Sequence, residues 1–139
     1  MRNSKPILLV EDDEVDALTT QNALSELNVA NKLVHKCDGK EALEYLMDES
    51  NAKPCIILLD LNMPRMDGFE FLAIVKSQDR LKKIPMIILA ASDEDESVTK
   101  AFESAAAGYI LKTVDYRQFV ERMRTVNDYW TLSRLPNSD

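Results

Sequence analysis

Short, continuous apolar runs recur along this chain, and stretches of helical length separate them. The runs are Ile7 to Val10, Leu33 to Val34, Cys55 to Leu59, Met86 to Leu89 and Tyr109 to Leu111. Three of them are unbroken rather than alternating, which is how strands covered on both faces read. Between the runs, apolar residues repeat at helical spacing: Ala42, Leu43, Leu46 and Met47; then Phe69, Leu72, Ala73 and the stem of Lys76; then Val98, Phe102, Ala105 and Ala106. The last stretch carries Tyr116, Phe119, Val120, Met123, Val126, Asn127 and Trp130 on one stripe. Asp13 to Leu27 has only a weak stripe and reads as helix from its length and lack of Gly or Pro. Pro6, Pro54 and Pro85 each stand just before a run, where a missing N–H is tolerated. The order βαβαβαβαβα predicts an α/β fold, a doubly wound parallel sheet with right-handed crossovers. Five strands suit the flavodoxin-like order 2-1-3-4-5.

A length of 139 residues predicts a single domain over 1–139, with a core over 5–127 and a helix end and tail over 128–139. The net charge of -7 argues against a nucleic-acid surface. The longest apolar run, Met86 to Ala91, is too short to span a membrane, and no signal-like stretch follows Met1. Two cysteines in unrelated contexts, Cys37 and Cys55, give no thiolate framework and read as small core residues. The single histidine, His35, excludes a multi-histidine metal site; it falls in the second strand, away from the site edge. These features together predict an acidic, cytoplasmic domain.

In open α/β sheets, ligands bind beyond the carboxyl ends of the strands. Glu11, Asp12, Asp13 and Glu14 follow the first strand, Asp60 the third, Ala90, Ala91 and Ser92 the fourth, and Lys112 the fifth. Strands one and three are neighbours in the expected order. Glu11, Asp12 and Asp60 therefore converge, with Lys112 on the far side. Taken singly, each acid has a plainer reading: the first cluster as a solvated helix start, and Asp60 as a cap or turn residue. Together they repel, so one must take up a proton or a cation must hold them. Mg²⁺ suits oxygen ligands of this kind and leaves room for phosphate oxygens. A carboxylate can also act as the nucleophile in phosphoryl transfer.

The segments Ile7 to Glu14, Leu58 to Gly68 and Gly108 to Lys112 resemble the receiver domain of two-component response regulators, and the resemblance covers nearly the whole chain. It implies that Asp60 accepts a phosphoryl group from a sensor histidine kinase and that Lys112 pairs with the phosphoryl oxygens. It also implies a Mg²⁺ site made of Asp12, Asp60 and the backbone carbonyl of Asn62, with Glu11 supporting it largely through water. Pro64 and Gly68 would shape the loop after Asp60, and Asp67 would cap the next helix. The ending Asp128 to Pro136 is similar to that of single-domain regulators paired with phytochrome-type kinases.

Several positions depart from that pattern. Receivers usually place Thr or Ser where this chain has Ala90, and Ser92 lies too far on to substitute. They usually place proline where Thr113 stands, and Gly where Ala105 stands. These departures put the phosphate switch at Ala90 and Tyr109 in doubt. Tyr109 matches the aromatic that swings inward in the family, and also reads as a plain half-buried strand residue. Two readings result: a phosphoacceptor that signals through protein contacts, and a pseudo-receiver that no longer switches. A Mg²⁺-dependent phosphatase lacks its acid, because Asn62 stands two residues after Asp60. A flavin carrier lacks a phosphate loop after the first strand. Asp93 to Glu96 reads as a solvated run without chemistry. Tyr129, Leu132 and Leu135 fall off the last stripe, which predicts a homodimer contact at the chain end.

Overall fold

The computed structural model describes residues 5–61, 63, 66–91, 95–112 and 115–132, and the side chains of all of these except 95, 96 and 130–132. The element order is β1 (Ile7–Val10), α1 (Glu14–Glu26), β2 (Leu33–Lys36), α2 (Gly39–Met47), β3 (Ile56–Asp60), α3 (Gly68–Ser77), β4 (Met86–Ala90), α4 (Asp95–Glu103), β5 (Gly108–Leu111) and α5 (Tyr116–Leu132). All paired strands run parallel, in the order β2-β1-β3-β4-β5. This is the doubly wound sheet that the apolar runs predict. The three central strands are buried along their whole length. One face packs Leu8, Val10, Ile57, Leu59 and Ile88 against α2, α3 and α4, and the other packs Leu9, Leu58 and Leu89 against α1 and α5. Each fully buried Leu or Ile contributes about 1.5–3 kcal/mol of transfer free energy, so both faces hold the sheet.

The helix starts follow from short acidic caps. Asp13 accepts hydrogen bonds from the N–H groups of Val15 and Asp16 at the start of α1, Asp38 from Glu41 at α2, and Asp67 from Glu70 at α3. Asp67 thus caps α3 as its position predicts. Gly68, the next residue, lies so close to the chain after β3 that a Cβ would sit 2.7 Å from the Leu61 Cα. Its N–H donates to the Leu61 carbonyl at 2.8 Å, so α3 can begin directly against the end of β3 only with glycine here.

Two helices end alike. At α1, Val29 N–H donates to Leu24 and Asn28 N–H to Ser25; at α4, Ala106 donates to Ala101 and Ala105 to Phe102. Both are Schellman endings, with a left-handed residue at the turn. Asn28 has φ 59° and Ala105 has φ 69°. Asparagine tolerates that region; alanine is strained there, which explains why the related pattern carries glycine.

Several helix faces differ from the spacing. In α3 the buried residues are Gly68, Phe71, Leu72 and Val75, one position off the expected stripe, and Ala73 is exposed. The helix is apolar nearly all round, so its period fits two faces equally well. Lys76 turns its ammonium onto the carbonyls of Lys82 and Ile84 and so ties the loop after α3. Met47 and Phe102 are exposed, and the small Ala42 and Ala101 take the inward places. Tyr116 is also exposed; its hydroxyl donates to Glu26 at 2.8 Å, pinning α5 to α1. Phe119, Val120 and Met123 are buried as predicted. Cys55 is buried, but Cys37 is exposed just past the edge strand β2 and is not a core residue. Asn62, Pro64, Ser92, Asp93, Thr113 and Leu135, and the side chains of Trp130 and Leu132, lie outside the described residues.

Candidate functional site

The carboxyl edge of β1 and β3 is where the sequence places its acids, and the structure brings them together there. Carboxylate oxygens of Glu11, Asp12 and Asp60 all lie within 4.8 Å of one another. Glu11 and Asp60 are buried, while Asp12 faces outward. Backbone pairing sets this up. Val10 and Leu59 are partners in the β1–β3 ladder, so the residues that follow them emerge side by side. Asp13, by contrast, spends its carboxylate on capping α1, and only Asp12 of the adjacent pair joins the cluster.

Lys112 does not stay on the far side of the sheet. Although β5 is the edge strand, the lysine side chain reaches back across β4. Its Nζ stands 3.0 Å from Glu11 Oε1, 3.2 Å from Asp60 Oδ1 and 2.8 Å from Asp16 Oδ2. The reach is fixed at its base by Lys112 N–H, which donates to the Ala90 carbonyl at 2.6 Å. The Asp16 contact was not foreseen. In sequence, an aspartate in the first turn of a helix reads as a dipole complement, and no local pattern marks one that reaches another strand.

Electrostatics follow from this crowding. Burial pushes Glu11 up to about 8, and the neighbouring Asp60 carboxylate adds to the rise against the pull of Lys112. Asp12 is raised chiefly by burial, with Asp60 adding to the effect. Lys112 loses ground to burial, but hydrogen bonding to Asp16 and the charges of Asp60 and Glu11 outweigh that and hold it above its usual range. Three carboxyl groups, two of them buried, with one compensating lysine are short of positive charge. Hard oxygen donors this close together match a divalent cation such as Mg²⁺ in donor type and charge.

Glu11 is further bound at its backbone: its N–H donates to the Lys36 carbonyl, and His35 Nε2 lies 2.7 Å from the Glu11 carbonyl oxygen. His35 is exposed, yet it stands nearer the site than its strand position implies. Ala90 ends β4 with its methyl group buried. Tyr109 is half-buried and packs toward the α2–α3–α4 face, two residues before the end of β5.

Fold and edge together define a class: flavodoxin-like α/β domains with an acidic pocket at the carboxyl ends of the strands. Within it, the chain belongs to the response regulator receiver domain family, which residues 7–124 match. It is similar to response regulator Rcp1 of Synechocystis, with 32% identity over 130 residues that cover 91% of this chain and 88% of Rcp1. Among solved structures, the Mn(2+)-bound form of Rcp1 is similar with TM-score 0.85 and 31% identity, covering 95% of this chain and 99% of that one. The phosphorylated cyanobacterial phytochrome response regulator RcpA is similar with TM-score 0.86 and 34% identity, covering 96% and 99%. No described helix is long and apolar enough to cross a membrane.

Proposed function

We propose that the chain is a single-domain response regulator whose Asp60 accepts a phosphoryl group from a sensor histidine kinase. The observation that carries this reading is the buried Asp60 carboxylate at the end of β3, 3.2 Å from Lys112 Nζ and grouped with Glu11 and Asp12. In the transfer, an Asp60 oxygen attacks phosphorus and forms an acyl phosphate. The bond from phosphorus to the kinase imidazole nitrogen breaks, and its electron pair stays on that nitrogen. Lys112 supplies a positive charge to the phosphoryl oxygens, and the buried walls of β1 and β3 hold the acceptor still. Mg²⁺ would be held by Asp12 and Asp60, supported by Glu11, with the Asn62 carbonyl as a further ligand. When bound, it neutralises the acid cluster and the incoming phosphate. The resemblance to RcpA, a phytochrome response regulator, supports a phytochrome-type kinase as the partner; protein contacts are the output proposed with it.

The test is intact mass after incubation with Mg²⁺ and acetyl phosphate. One phosphoryl mass is expected on the native chain, and none on Asp60→Asn. An unshifted native mass would remove the phosphoacceptor reading. The buried Ala90 methyl group favours a second reading, a pseudo-receiver that binds partners without switching. Phosphorylation without any change in amide shifts would select it. A homodimer through the chain end is part of the proposal. Tyr129 is 57% exposed near the end of α5, and an interface recovers apolar area that water leaves exposed. Truncation after Asn127 should leave a folded monomer by light scattering; a full-length chain that is already monomeric at high micromolar concentration removes the dimer.

A further inference from the structure

Three carboxylates hold the Lys112 ammonium, and an ammonium has three N–H donors. Two of those carboxylates, Glu11 and Asp60, belong to the acidic triad. The third, Asp16, stands outside it on the first turn of α1 and makes the shortest of the three contacts, at 2.8 Å. Its backbone is fixed on both sides: its N–H donates to Asp13 Oδ1, and its carbonyl accepts the Thr20 hydroxyl. The side chain is therefore presented to Lys112 from a rigid turn. Asp16 and Lys112 also line a small cavity of about 260 Å³ with Thr19, Thr20, Tyr116 and Phe119, on the α1–α5 side. The contact thus ties the ammonium to α1 as well as to the β1–β3 edge.

We infer that Asp16 is a positioning residue that competes with the phosphoryl group for Lys112, an inference that rests on Asp60 being the acceptor. With all three donors engaged, Lys112 can meet a phosphoryl oxygen only by releasing a carboxylate. Asp16 is the partner whose release costs the acid cluster nothing, since it is not one of the residues grouped there. Its negative charge also opposes an incoming phosphate. The pair acts as a restraint that slows phosphorylation and limits it to donors positioned well enough to take the lysine over.

The experiment compares initial rates of labelling by acetyl phosphate, followed by intact mass across a Mg²⁺ series, for the native chain, Asp16→Asn and Asp16→Glu. Asp16→Asn keeps the shape and removes the charge, and should label about three- to tenfold faster, the scale of one charge-assisted contact. Its Mg²⁺ half-saturation should stay within about twofold of the native value, because Asp16 stands outside the triad. Asp16→Glu should return the rate toward native. A thermal melt of each variant checks the fold, and Asp16→Ser replaces Asp16→Asn if the latter melts early. A purely structural tether would lower the melting temperature without speeding labelling. Labelling no faster than native in the uncharged variant, or equally fast in Asp16→Glu, overturns the inference while Asp60 labelling of the native chain stands. A native chain that does not label at all overturns both readings.

Discussion

The two halves of the carboxyl edge are built differently. On the β1–β3 half, Glu11, Asp12 and Asp60 come together on buried neighbouring strands, and each acid has a place that the family resemblance assigns. On the β4–β5 half, Ala90 stands where a hydroxyl is usual, Ala105 is held at φ 69° where glycine is usual, and Lys112 is shared with Asp16. The difference separates two tasks. Under the proposed function, the acids of the first half, with Lys112 reaching over from the second, would bind the cation and accept the phosphoryl group, while reporting that group to the surface would fall to the second half. This chain keeps the acids of the pattern it resembles and departs from that pattern at Ala90 and Ala105.

The largest effect should come from breaking the intact half. Asp12→Ala should weaken Mg²⁺ binding by roughly 10–100-fold, the range seen when groups around a metal are lost, while Asp13→Ala leaves affinity nearly unchanged and costs α1 about 1 kcal/mol of capping. Titration of both variants checks it, and equal losses of affinity would mean that both side chains face the cation. Next comes pH. Glu11 is raised from 4.5 to about 8, so the folded chain holds a proton that the unfolded chain has released between those values. The group therefore favours folding fully below pH 4.5, and that contribution is lost as pH rises toward 8. For Mg²⁺ the sign is opposite, since the cation needs the ionised form. Affinity should rise about 10–30-fold from pH 6.5 to 8.5, with proton release on binding in calorimetry. A flat profile would show that Glu11 is ionised throughout.

The departing half offers two smaller tests. Ala90→Thr adds a hydroxyl at the end of β4. A charge-assisted bond of ~1.5–3 kcal/mol is set against an overpacking cost of ~1–3 kcal/mol at this buried site. Severalfold tighter beryllofluoride binding and wider amide-shift changes are expected; an unchanged response would show that the missing hydroxyl is not what limits switching. Ala105→Gly relieves left-handed strain of ~1–2 kcal/mol, partly offset by the entropy of glycine in the unfolded chain. The net gain of about 0.5–1 kcal/mol should raise Tm by about 1–3 °C, and a fall would mean that the methyl group packs usefully there.

Much of this molecule was legible in its residues. Apolar runs without polar alternation marked strands buried on both faces, and their alternation with helical stretches implied a parallel, doubly wound sheet, for which the observed order is the one that five strands suit. Residues immediately after strands are placed by the ladder itself, so Asp12, Asp60 and Lys112 could be read as one edge. Asp67 could be read as a cap because capping is decided within three residues. Helix faces were less legible. In α3 two adjacent stripes are both apolar, and only the sheet beneath selects Phe71, Leu72 and Val75. In α2 and α4 the close approach to the sheet favours the alanines, leaving Met47 and Phe102 outside.

The sequence by itself determined the alternation of strands and helices, the acids at the strand ends and the Asp67 cap, because each depends on local pattern, and that alternation suited the strand order found. Only the tertiary structure decided what those acids experience. Lys112 and Asp16 are 96 positions apart and meet because β5 and α1 flank the same edge. Glu11 is raised because burial removes water from it, and no neighbour in the chain shows that burial. His35 reaches the Glu11 carbonyl because β2 lies beside β1. Charge and hydrogen bonding act through space at a few ångströms, and that distance is fixed by the packing of the whole sheet.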